Sequence, residues 1–157
     1  MAATSTEITD VLESLAETPR RIEAVVKGLQ DDRLQAKPDE KSWSANDILA
    51  HLRACADVWG KSIDDMLEQD YPTLRHVSPR TYMRKTDYAQ RAFHESFQAF
   101  ADQRAALLRR LENLDVDDWS RGAVIKDREY TVLSQARRMA QHEDVHCEQI
   151  EAVMGAA

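Results

Sequence analysis

The amino-acid sequence predicts an all-α protein, a four-helix bundle, and three observations carry that expectation. Apolar residues recur at helical spacing in four long segments. Only four glycines and four prolines punctuate 157 residues, too few for a many-turned β-protein. Strand-like alternation is brief, its best case being Ala123 to Thr131, where a short hairpin-like turn is expected before the last helix. The length and the absence of any repeat or linker predict one domain over residues 1–157.

The first helix follows from Ile8, Val11, Leu12, Leu15, Ile22, Val25, Val26 and Leu29. Pro19 lies inside it and cannot donate to the carbonyl four residues back, so a kink or break is expected there. The second stripe is Ile48, Leu52, Cys55, Trp59, Ile63 and Met66. Its start is the best defined: Ser44 can cap the free amides, Asp47 stands three residues on as in a capping box, and Trp43 and Ile48 occupy hydrophobic-staple positions. His51 therefore lies two turns into a well-anchored helix. The third stripe is Phe93, Phe97, Phe100, Leu107, Leu108, Leu111 and Leu114, and the fourth is Val132, Ala136, Met139, Cys147, Ile150 and Met154. The connections, roughly 14 to 17 residues each, exceed what a minimal antiparallel bundle needs. The one from Tyr71 to Lys85 carries Arg75, Arg80 and Arg84, and is expected either to cross the bundle or to wall a pocket.

Charge and composition narrow the function classes. The net charge of −7 is spread along the chain without a basic block, which disfavours nucleic acid and anionic membranes as partners. No apolar run is long enough to span a bilayer, and MAATSTEITD does not resemble a signal peptide. Two cysteines form no disulfide framework, so a cytoplasmic location is expected. A homodimer is compatible with the aromatic-rich stripes, although no residue pattern requires one.

Chemistry concentrates in the histidines. QHEDVH contains His142-Glu143-x-x-His146, the helical string that zinc proteases use for two ligands and a base. Such proteases take a third ligand from further along the chain. Only Cys147 to Ala157 follows His146, with Glu148 and Glu151 on the same helix, so a protease site cannot be completed downstream. On a helical wheel, His142 and His146 lie on one edge of the fourth stripe, and His51 has the same relation to the second. If these helices are neighbours the three imidazoles converge, as metal ligands do inside bundles. A hydrogen-bonded flank histidine remains the alternative for His51 alone. His76 and His94 are expected to be exposed and uninvolved. Cys55, one turn beyond His51, is either a soft fourth ligand or a buried structural thiol. Glu143 lies near the centre of its apolar stripe, where an unpaired carboxylate is costly. It is therefore either a helper base beside the site or the partner of an arginine at a helix interface. Gln149, one turn after His146, either orients a ligand or is simply exposed.

SWSANDILAHLRACADVWG resembles the second-helix signature of the DinB-like superfamily, and HEDVHCEQI is similar to that family's closing helix. TPRRIEAVVKGLQDDRLQAKP also looks like its first helix and the descent into the Trp-Ser turn. The resemblance implies a four-helix bundle with crossover connections, and a metal triad at His51, His142 and His146. It also implies kinship with metal-dependent transferases that use bacillithiol, mycothiol or glutathione. Three neutral imidazoles leave a divalent ion its charge and an open position, which supports either hydrolysis or thiolate formation. The expected activity is metal-dependent S-transfer from a low-molecular-weight thiol to a small electrophile. The alternatives are a metal-dependent small-molecule hydrolase and a stress-related binding protein with a structural metal. Zinc or nickel is the expected ion, with iron and manganese also compatible with the ligand type.

Overall fold

The computed structural model describes residues 2–155. Four long helices, α1 (Ser5–Val26), α3 (Ala45–Glu68), α5 (Phe93–Glu112) and α6 (Val132–Gly155), are joined by segments holding two short helices, α2 (Asp31–Gln35) and α4 (Pro79–Arg84). Single 3-10 turns at Tyr88–Gln90 and Val116–Ser120 lead into α5 and into the hairpin before α6. α6 packs on α1 and α3, and α5 packs on the same two helices. This closes a four-membered ring in which α1 faces α3, and α5 faces α6, across the diagonals. The links from α1 to α3 and from α5 to α6 are therefore crossovers, as expected. Among the described residues no helix is long and apolar enough to cross a membrane.

Local chemistry sets the ends of these elements. Ser44 Oγ accepts from the Asp47 amide and Asp47 Oδ2 from the Ser44 amide, both at 3.0 Å, which completes the expected capping box. Thr4 and Glu7 build the same device on α1. Thr131 and Ser134 exchange two side-chain-to-amide bonds, at 2.9 and 3.0 Å, where β3 turns into α6.

The hairpin is β2 (Gly122–Ile125) antiparallel to β3 (Arg128–Thr131). Its two-residue turn places Lys126 at φ 51° and Asp127 at φ 64°, the left-handed pair that a type I′ turn requires. Gly122 is needed because a β-carbon there would collide with the Tyr130 carbonyl oxygen. A third strand, β1 (Thr73–Leu74), adds parallel to β2. The segment after α3 is thus strapped to the hairpin before α6, and it walls a pocket.

Pro19 does not break α1, which runs uninterrupted from Ser5 to Val26. The expected break is absent because the carbonyl that Pro19 cannot serve, that of Leu15, accepts from Arg104 Nη1 at 2.9 Å. Arg104 belongs to a polar layer through mid-bundle. One apolar cluster contains Leu15, Trp59, Ile63, Leu111, Trp119 and Met139; the other contains Ile22, Ile48, Leu52, Phe100 and Ile150. Thr18, Arg104 and Glu143 fall between the two along their helices, and all three are buried.

Candidate metal centre

α3 contributes His51, and α6, packed against it, contributes His142 and His146 one turn apart. One nitrogen from each imidazole lies within 4.8 Å of one from each other. His51 Nε2 and His142 Nε2 are 3.0 Å apart. The ring centroids are separated by 5.1 Å for His51–His142, 4.9 Å for His51–His146 and 4.4 Å for His142–His146. Cys55 Sγ completes the cluster, 3.6 Å from His51 Nε2 and 3.5 Å from His142 Nε2.

The surroundings hold these rings in place and keep His51 and His142 neutral. Trp43 packs on His51 with centroids 5.2 Å apart, and Trp59 meets His142 edge-on at 5.1 Å. His146 Nδ1 is 2.8 Å from Gln149 Oε1. An amide oxygen only accepts, so Nδ1 carries the proton and Nε2 is left as a lone-pair donor. Burial, then electrostatic coupling to His146, His142 and Arg80, pushes the His51 imidazole down to about 4. Burial, His146, Arg138 and Arg80 do the same to His142, also to about 4. The Cys55 thiol is pushed up to about 12, first by burial and then by the Glu143 carboxylate, and it stays protonated at neutral pH. Arg80 stacks over Trp43 at 4.9 Å and Arg138 over Trp59 at 4.6 Å, so each cation is fixed on the aromatic wall of one histidine.

Glu143 lies between the two α6 histidines in sequence but faces another way. Its carboxylate accepts from Thr18 Oγ1 at 2.8 Å and from Arg104 Nη1 at 2.7 Å, with a second bond from Arg104 Nη2. This is the arginine pairing at a helix interface. Among the described residues the carboxylate makes no hydrogen bond to a histidine of the trio. His76 and His94 are exposed and apart from the cluster, with His94 Nε2 2.7 Å from the Leu29 carbonyl oxygen. Arg104 escaped the sequence reading. The signal was present: four residues after Phe100 and four before Leu108, it stands inside the third apolar stripe, where an unpaired cation is costly.

The trio, its order along the chain and the helices that carry it agree with one family, whose model matches residues 14–150. The chain belongs to the DinB superfamily. Among solved structures, this DinB-superfamily bundle is similar to YfiT from Bacillus subtilis, "a probable metal-dependent hydrolase with an unusual four-helix bundle topology", with a TM-score of 0.81. That match has 15% identity and covers 97% of this chain and 88% of YfiT, and at this identity it speaks for the fold. No curated protein matches the chain.

A divalent ion fits the donor set of this DinB-superfamily member. His51 and His142 are held neutral, the three imidazoles come from two packed helices, and His146 is oriented by a hydrogen bond at its Nδ1, as ligating histidines are. His51, His142 and His146 would hold the ion, with the Cys55 thiol beside two of the donor atoms.

Proposed function

We propose that this protein is a metal-dependent enzyme that activates a small nucleophile at the His51, His142 and His146 centre. The convergence of three imidazoles, each offering a nitrogen within 4.8 Å of the others, is the observation that carries this reading. Bound there, a divalent ion supplies Lewis-acid charge that lowers the pKa of a water or thiol and polarises a carbonyl. The chain's own groups do the rest. Gln149 fixes the tautomer of His146 and aims its Nε2 inward. Trp43 and Trp59 pack against His51 and His142 and keep bulk water from one side of each ring. Arg80 and Arg138 favour an anionic nucleophile or substrate near the centre. Arg80 also opposes protonation of His51 and His142, and Arg138 that of His142.

We take S-transfer from a low-molecular-weight thiol to a small electrophile as the reaction, because the superfamily that both signature helices resemble includes metal-dependent thiol transferases. Hydrolysis is the second reading, favoured by the fold shared with YfiT. The test begins with protein purified without a histidine tag and metal quantified by mass spectrometry. About one ion per chain is expected in the wild type and a large loss in His51→Ala; equal, negligible content in both refutes the metal centre. Metal-loaded protein is then given a chromogenic electrophile with a panel of thiols, and a panel of esters and amides without thiol. Thiol-dependent turnover supports the transferase, and turnover without thiol assigns a hydrolase. Inactivity across both panels, with metal bound, overturns the enzymatic reading in favour of a structural ion.

A further inference from the structure

A cavity of about 750 Å³ opens beside the metal centre without including any histidine of the trio in its wall. α3 supplies Trp59 and Ser62, the strap after α3 supplies Leu74 and Arg75, the hairpin supplies Ile125 and Tyr130, and α6 supplies Gln135 and Arg138. Its size is that of a pocket for one small molecule.

Two features of the wall specify an occupant. The first is charge. In a chain of net charge −7, Arg75, Lys126, Arg128 and Arg138 gather here, and among the described residues none of them makes an ion pair. The acidic lining is largely occupied. Asp65 pairs with Lys61 at 3.0 Å, and Asp57 accepts from Tyr82, Tyr88 and Gln103. Asp127, at the hairpin turn, offsets one positive charge. Arg138 is braced over Trp59 at 4.6 Å and over Tyr130 at 5.8 Å, a cation held on an aromatic wall.

The second feature is an unsatisfied acceptor. Ser62 Oγ donates its single proton to the Trp59 carbonyl at 2.6 Å, so it can only accept from Gln135 Nε2, 2.8 Å away. This fixes the orientation of the amide and leaves Gln135 Oε1 buried with no partner. Buried acceptors are rarely left so in native proteins.

We propose that this cavity binds a small organic anion with an apolar or aromatic body and an N–H or O–H donor, at a site separate from the histidine trio. The anion meets Arg138 and Arg75 and the body lies along Trp59, Ile125 and Tyr130; the donor reaches Gln135 Oε1, which the cavity does not expose, as the wall adjusts around the ligand. The proposal goes beyond the metal reading, because none of these contacts involves a metal ligand.

The probe is 1-anilinonaphthalene-8-sulfonate, an aromatic body with one anilino N–H and one sulfonate. N-phenyl-1-naphthylamine, the same body without the sulfonate, is the control. Native protein is expected to bind the sulfonate at one saturable site. Arg138→Gln weakens it about tenfold, the scale of one charge-assisted contact, while the uncharged control changes by less than about twofold. In protein carrying ¹⁵N-tryptophan, the Trp59 indole resonance shifts and that of Trp43, near His51, does not. His51→Ala stripped of metal binds the sulfonate as the wild type does, so this proposal and the metal centre fail separately. Equal affinity in Arg138→Gln overturns it, as does a shift at Trp43 in place of Trp59. Binding that weakens as protein concentration rises also overturns it, by showing that a second copy fills the cavity. Ile125→Trp, which fills the pocket without touching its charges, abolishes binding of both probes; retention by a folded Ile125→Trp places the ligand elsewhere.

Discussion

Arg104 Nη1 donates to the carbonyl oxygen of Leu15 at 2.9 Å, and Leu15 is the residue whose usual helical donor Pro19 removes. The same guanidinium grips both oxygens of Glu143, which Thr18 also bonds. One side chain of α5 thus repairs a defect in α1 and neutralises a carboxylate of α6. Both charged groups are almost wholly shielded, with 2% of the Arg104 side chain and 1% of the Glu143 side chain exposed. Glu143 follows His142 directly, so this tie also fixes how α6 presents its histidines to α3.

Arg104→Met leaves Glu143 buried without its cation and Leu15 without its donor, and should cost about 3–5 kcal/mol of unfolding free energy. Glu143→Leu should cost a similar amount by stranding Arg104. The double variant removes both charges and should lose much less than the sum of the two. Urea midpoints of the four proteins measure the coupling, and strict additivity would show that the two groups do not act as a pair.

The four long helices were legible because each buries a stripe at helical period, and the start of α3 because Ser44 and Asp47 spell a capping box. The histidines were legible in part: their edge positions allowed convergence, and only the packing of α3 on α6 made it real. Other features left little local signal. β1 is two residues long and exists through its pairing with β2, so no alternation could announce it. α2 and α4 are too short for periodicity to register. The uninterrupted course of α1 depends on Arg104, a residue far along the chain. The role of Glu143 was open for the same reason, since a helical pattern shows that a carboxylate is buried and not which arginine reaches it.

Asp127 holds φ 64° in the tight turn, a left-handed conformation that an L side chain occupies at a cost. Asp127→Gly removes that cost and gives the turn its preferred second residue, so stability should rise by about 1 kcal/mol. The increase should appear in the urea midpoint without a change in metal content. A fall in stability would mean that the Asp127 side chain makes a contact worth more than the backbone relief.

Gln149 accepts from His146 Nδ1 at 2.8 Å and so sets which nitrogen of His146 faces the centre. Removing such a partner from a ligating histidine weakens metal binding by about 10–100-fold. Gln149→Leu is therefore expected to lose affinity in a chelator competition while keeping its fold, and Gln149→Glu, which can still accept, to retain it. Equal affinity in Gln149→Leu would show that the imidazole is positioned by packing alone.

Acid should destabilise the metal-free protein through two particular histidines. Burial, with neighbouring positive charge, holds His51 and His142 at about 4, whereas both return to about 6.5 when the chain unfolds. Between those values the unfolded chain binds protons that the folded chain refuses, so the free energy of unfolding falls as the pH drops from about 6.5 towards 4. Their contribution is fully present above the unfolded value and levels off below the folded one. Carboxylates titrate in the lower part of this window, so the wild type must be compared with a His51→Gln, His142→Gln variant, which keeps them all. Urea midpoints of chelator-treated protein at pH 7.5, 6.0 and 5.0 should fall more steeply in the wild type than in that variant. Parallel curves would mean that the two imidazoles are not held neutral by the fold, and that any ion entering the centre must first displace their protons.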